Sequence, residues 1–190
     1  MAEKTKAVSL VRIAAVLTLI CTLVALLLAG VYSMTNEIYE QNILRVKQEA
    51  IASLFDRETV TTEALDLTLD MAVEEAYRVS ENGALLGYCA NVKSAGFGGD
   101  IDMMIAIDPS GALLGVQIVS MSETPGLGSR AGEEAHLSQY KGLGSDKTLT
   151  LGEEIDAISG ATVSSKAVNA GVNAALEVLS YYRTLGEEMP

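Results

Sequence analysis

The stretch Leu85-Leu-Gly-Tyr-Cys-Ala-Asn-Val92, Asp102-Met-Met-Ile-Ala-Ile107 and Leu113-Leu-Gly-Val-Gln-Ile-Val-Ser120 decides the fold. Each run is short, apolar or alternating, and rich in the residues that suit a pleated, half-buried surface. A fourth run, Ala76–Val79, precedes them. Asn82-Gly83 separates the first two runs, and Pro109-Ser110-Gly111 separates the last two. Both are turn signals, because Gly tolerates positive φ and Pro pre-sets the first turn position. A small antiparallel sheet follows from this order.

Toward the C-terminus the period changes. Val168, Val172, Leu176 and Leu179 recur at helical spacing and predict an amphipathic helix from about Ser164 to Tyr182, with Ser164 or Ser165 as its N-cap. Residues 121–152 are rich in Gly and read as an extended loop with one short helix near Glu133–Tyr140. Residues 58–72 are Thr- and acid-rich and fit neither period.

Toward the N-terminus, Ile13 to Val31 runs without a charge. As a helix it spans about 28 Å, close to a bilayer core of about 30 Å. The hydroxyls of Thr18 and Thr22 are tolerated there because they bond back to helix carbonyls. The run exceeds the usual core of a cleaved signal peptide. Cys21 as a lipid anchor lacks a small residue just ahead of it, and apolar sequence continues past it. Lys4, Lys6 and Arg12 precede the run, while Glu37 and Glu40 follow it, so the positive-inside rule places the N-terminus in the cytoplasm. From Glu37 to about Arg57, apolar residues at helical spacing predict a connector helix. The expected organisation is a cytoplasmic N-terminus over 1–12, a transmembrane helix over 13–33, a helical connector over 34–75 and a soluble domain over 76–190. The fold class is α+β: a small antiparallel sheet with flanking helices behind one N-terminal transmembrane helix.

The 190 residues carry a net charge of −12. Residues 1–12 contribute +2, so the rest carries −14 and repels phosphate backbones and anionic lipid. There is no Trp, which argues with the charge against nucleic acid as a partner. Two cysteines, Cys21 and Cys89, supply neither a disulfide framework nor a metal site. The single histidine, His136, is expected on a surface loop. No acid–base pair or nucleophile constellation is apparent.

Two stretches carry chemistry. In Asp156-Ala-Ile-Ser159-Gly160-Ala161-Thr162-Val-Ser-Ser-Lys166, the small residues let the backbone approach a bulky ligand. Thr162 offers a hydroxyl just ahead of the final helix, whose N-terminus suits a phosphate, and Lys166 adds a cation. On these residues alone, a plain turn with Ser and Thr capping a helix is the simpler reading. In Ser122-Glu123-Thr124-Pro-Gly126-Leu127-Gly128-Ser-Arg130, Pro and Gly make a tight turn that can wrap the edge of a planar ring, though a surface loop explains it as well. It is neither a Walker loop nor a dinucleotide fingerprint.

Taken together, the stretches resemble a known family. Asp-x-x-Ser-Gly-Ala-Thr closely resembles the flavinylation motif of the FMN-binding domain family, Ser-Glu-Thr-Pro-Gly-Leu-Gly resembles its second signature, and Gly96-Phe-Gly-Gly-Asp100 a third. Their order, spacing and leading apolar helix are similar to the G-subunit family of Rnf-type ion-translocating electron-transport complexes. The resemblance covers most of the chain and weakens over 56–75. It implies FMN joined by a phosphoester to Thr162, with Glu123, Thr124, Gly126, Leu127, Gly128, Ser159, Gly160, Ala161 and Lys166 around it. It implies a flavin transferase during maturation and the other membrane and peripheral subunits of the complex as partners. It implies a one-electron relay outside the cytoplasm, anchored in the cell (inner) membrane by a single pass. Asp156 is expected to shape the loop rather than act as an acid. The related C subunit of sodium-translocating NADH:quinone reductases shares the motif and is the alternative, as is a membrane-tethered flavin-binding module outside such a complex.

Overall fold

The computed structural model describes residues 2–66 and 72–188. The chain divides into two compact units, Met1–Arg45 and Val46–Pro190.

The first unit is helical throughout its described length, as part of α1 (Ala2–Leu54). From Arg12 onward α1 is long and apolar enough to cross a membrane. Its apolar side chains from Ile13 to Val31 face outward, with none buried against protein. The two hydroxyls in the run are satisfied along the helix: Thr18 Oγ1 donates to Ala14 O at 2.9 Å, and Thr22 Oγ1 to Thr18 O at 2.8 Å.

The second unit is built on a five-stranded antiparallel meander, β1 (Thr61–Ala64), β2 (Val73–Glu81), β3 (Ala84–Ala95), β4 (Asp100–Ile107) and β5 (Leu113–Met121), in sequential order. The β2–β3 hairpin turns at Asn82-Gly83, both at positive φ (50° and 83°), as a two-residue hairpin requires. The acid- and Thr-rich connector, expected to be helical over 34–75, is helical only to Leu54 and contributes the edge strand β1. Thr61 and Thr62 there are β-branched residues that suit a strand. Positions 67–71 of that connector lie outside the described residues.

β4 is buried at every position after Asp100, so both faces of the sheet are covered. Cross-strand register assigns the faces. Ala90, Ile105 and Val116 share a row and point into the main core. That core is completed by Val168, Val172, Ala175, Leu176 and Leu179 of α3 (Thr162–Glu188). Gly171 lets the helix come close, since a Cβ there would meet Met103 Cε and Ser94 Oγ at 3.0 Å. The opposite rows, Tyr77–Cys89–Ala106–Gly115 and Asn91–Met104–Gln117, lie under the last turns of α1 within this unit. Gln117 Nε2 donates to Ser53 Oγ at 3.5 Å, Leu54 approaches Gly115, and Lys47 pairs with Glu75 at 2.9 Å. Ala50, Ile51 and Phe55 are buried there.

Between β5 and α3 the chain forms short helical turns, Gly128–Gly132, α2 (Glu134–Leu137) and Ser138–Tyr140, and then a long loop. Polar residues of α3 hold this loop. Asn173 Oδ1 accepts from Leu149 N at 2.8 Å, and the side-chain amides of Asn169 and Asn173 both donate to Leu149 O at 2.9 Å. Tyr140 donates to Asn169 Oδ1 at 3.3 Å. The loop is therefore fastened to the face of α3 adjoining the core, which fixes the segment leading into α3.

Candidate functional site

The site is assembled from three backbone turns and the first residues of α3. The first turn is Thr124-Pro-Gly-Leu127. Leu127 N donates to Thr124 O at 3.1 Å and Gly126 has φ +73°, the pattern of a type II turn with Pro at its second position. Thr124 O also accepts from Ser129 N at 3.2 Å, and Ser129 Oγ accepts from Gly126 N at 2.9 Å, so the turn is rigid.

The second turn is Ile158-Ser-Gly-Ala161. Ala161 N donates to Ile158 O at 2.9 Å and Gly160 has φ +84°, again the geometry in which Gly is the favoured third residue. Ala161 O accepts the first helical bond, from Ser165 N at 2.9 Å, and Thr162 is the first residue of α3. The expected N-caps, Ser164 and Ser165, lie instead inside the first helical turn, where both are buried. Ser165 Oγ faces back and accepts from Ile158 N at 3.2 Å, closing the turn from within the helix. The helix starts earlier than its apolar period indicates because the period marks only the core-facing stripe, and this first turn packs on loops instead.

The third turn, Gly96–Gly99, joins β3 to β4. Gly96 N donates to Gly99 O at 2.9 Å. Glu123, 8% exposed, reaches under it: Oε1 accepts from Phe97 N at 2.7 Å and from Gly98 N at 3.3 Å. Glu123 Oε2 is buried with no hydrogen-bond partner among the described residues. A Cβ at Gly96 or Gly128 would collide with this carboxylate.

A cavity of about 260 Å³ lies where these turns meet. Glu123, Thr124, Leu127 and Gly128 line it from the first turn, Gly160, Ala161 and Thr162 from the second. Thr162 is exposed. Of the other residues named from sequence, Gly126 sits at an exposed turn tip and Lys166 on the outer side of α3, and neither lines the cavity. Ser159 turns into a separate polar recess with Arg130, Glu133, Gln139 and Asp156. Asp156 shapes the loop through its backbone, its N–H donating to Gln139 Oε1 at 2.7 Å.

Phe97, Val163 and Ser164 also line the cavity, and sequence reasoning had not singled them out as site residues. Val163 and Ser164 were missed because the helix was expected to begin two residues later. For Phe97 the signal was present: an aromatic side chain set among three glycines.

His136 corrects an expectation. It is 3% exposed rather than on a surface loop, edge-on to Tyr140 with ring centroids 5.9 Å apart, and its Nδ1 lies 3.2 Å from Gln139 Nε2. Burial holds its imidazole below the ordinary value, partly offset by the Asp156 backbone. A polar, Gly-rich segment gives no periodic signal of burial, so this was invisible in the sequence. Cys89 is buried under the end of α1, and burial pushes its thiol up to about 12, which makes it inert.

Residues 96–177 match the FMN-binding domain family. The chain is 27% identical over 171 residues to the G subunit of the proton-translocating ferredoxin:NAD(+) oxidoreductase complex of Clostridium ljungdahlii, covering 87% of this chain and 89% of that protein. It is 28% identical over 166 residues to the G subunit of the Na(+)-translocating ferredoxin:NAD(+) oxidoreductase complex of Acetobacterium woodii, covering 77% and 80%. Among solved structures, the C subunit of the Na(+)-translocating NADH-quinone reductase from Parabacteroides distasonis shares the fold, with a TM-score of 0.57 at 17% identity over 76% of this chain and 93% of that one. The cavity between the three turns thus lies within the segment that matches the FMN-binding domain family, and the chain is similar over most of its length to the G subunits of ion-translocating oxidoreductase complexes.

Proposed function

We propose that this chain is an electron-relaying subunit of a membrane-bound ion-translocating ferredoxin:NAD oxidoreductase complex, and that it carries FMN through a phosphoester to Thr162. The observation that carries this reading is the position of Thr162, exposed at the first residue of α3 on the wall of the cavity that both Gly-containing turns line.

The residues present fit a flavin phosphate. Gly128, Gly160 and Ala161 keep that wall thin, and Leu127 and Val163 give it an apolar surface for a ring system. The first amides of α3 have no acceptor within the helix and point toward the Thr162 end. Their contribution to an anion there is about 0.3–1 kcal/mol, enough to orient it and far too little to retain it. A covalent bond is needed where no free FMN pool exists to refill the site, because it keeps the local concentration high whatever the affinity. In maturation Thr162 Oγ1 forms the new ester bond to the flavin-side phosphorus of FAD. The pyrophosphate bond breaks, AMP leaves, and the hydroxyl proton passes to solvent. When bound, FMN supplies the redox chemistry. Leu127 and the rigid turn that bears it hold the ring position.

The helix of the first unit anchors the chain by a single pass. The basic residues ahead of it support a cytoplasmic N-terminus with the FMN-binding domain outside. The partners are the other subunits of the complex and, during maturation, the flavin transferase.

The test is peptide mass spectrometry on the chain produced with a flavin transferase, together with flavin fluorescence of the denatured band. FMN less one water is expected on Thr162, and Thr162→Ala should leave the band dark. Modification on Ser164, or none, would overturn the assignment.

A further inference from the structure

Phe97 is 76% exposed, the most exposed large apolar side chain of the second unit among the described residues. Its backbone is nevertheless tightly held, with its N–H and that of Gly98 on the Glu123 carboxylate at 2.7 and 3.3 Å. Gly96 and Gly98 lie so close to Glu123 and to the Ser122 carbonyl that neither has room for a Cβ. The turn is thus laid flat on the start of the 122–130 loop, and its one side chain is left to project. Phe97 belongs to no buried cluster, yet it lines the same cavity as Leu127 and Val163, which are themselves 47% and 50% exposed. The ring adds nothing to the buried core, and its apolar surface leaves water only when something covers it.

We propose that Phe97 packs against the isoalloxazine ring at the cavity mouth, and that Glu123 is the positioning residue that sets it there. This rests on the FMN reading above and adds the residue that determines how far the ring is open to solvent. Glu123 lines the same cavity, and it sets Phe97 through the turn whose amides it accepts from.

The experiment uses the full flavinylated chain in detergent. In Phe97→Trp the indole quenches the excited flavin on contact, so flavin emission should fall severalfold at unchanged flavin absorbance. Phe97→Tyr, a smaller change, should quench in the same direction and serves where the Trp variant folds poorly. In Phe97→Ala, quenching by added iodide should rise. Glu123→Ala combined with Phe97→Trp should restore emission, because the turn is no longer pinned, whereas Glu123→Gln keeps Oε1 as an acceptor and should keep the quenching. Wild-type emission in both aromatic variants would overturn the proposal. A chain with no flavin absorbance at all would overturn the underlying FMN reading and this proposal with it.

Discussion

Leu127 Cδ1 lies against Gly160: a Cβ built on Gly160 would stand 3.2 Å from it. The two turns, more than thirty positions apart in sequence, are therefore in contact, and the pair forms one wall of the cavity beside Thr162. Gly160 also has φ +84°, a conformation that residues with a Cβ rarely adopt.

Gly160→Val combines both costs. Backbone strain of about 1–3 kcal/mol adds to the displacement of Leu127. Thermal unfolding should show a clearly lowered midpoint, and flavin incorporation should fall. Leu127→Ala in the same background relieves the contact but not the strain, so it should recover only part of the lost stability. Full recovery would show that φ at position 160 is unimportant.

Asn173→Ala should free the long loop that leads to the second turn. Asn173 both accepts from Leu149 N and donates to Leu149 O, a two-point clamp on one residue. Leaving the Leu149 N–H without its acceptor costs about 1–3 kcal/mol. Chemical denaturation should show this loss, and hydrogen exchange should show faster exchange of the Leu149 amide and its neighbours. Unchanged protection there would argue that Asn169 alone holds the loop.

Acid should weaken the same region through His136. Its folded imidazole sits below the ordinary 6.5 because burial disfavours the charged form. The unfolded chain therefore binds the proton more readily. Its contribution to stability is fully present above 6.5 and is lost as pH falls toward the folded value. Denaturation midpoints measured on either side of 6.5 should differ in wild type, and His136→Phe should flatten that step. A pH profile identical in the variant would assign the acid sensitivity to other groups.

Topology is checked by labelling. Cys89 is fully buried, so a cysteine introduced at the exposed Thr148 reports alone from the domain. A membrane-impermeant maleimide should label Thr148→Cys in intact cells. Labelling only after lysis would reverse the orientation.

The strand runs, their turns and the core stripe of α3 were legible in the chain because alternation and helical period are properties of neighbouring residues. Val168, Val172, Leu176 and Leu179 declare the buried side of their helix wherever it packs, and Asn82-Gly83 declares a hairpin. Both Gly-containing turns could likewise be read as turns, since Pro125-Gly126 and Gly160 are local instructions. Tertiary structure alone decided what those turns meet. Contact between Leu127 and Gly160, the Glu123 carboxylate under Gly96–Gly98, and the burial of His136 join segments far apart in sequence, and no local pattern encodes such a meeting. The start of α3 at Thr162 was displaced from its expected place for the same reason. Its first turn packs on loops rather than on the sheet, so the apolar period that announces the helix begins only after the residues that line the site.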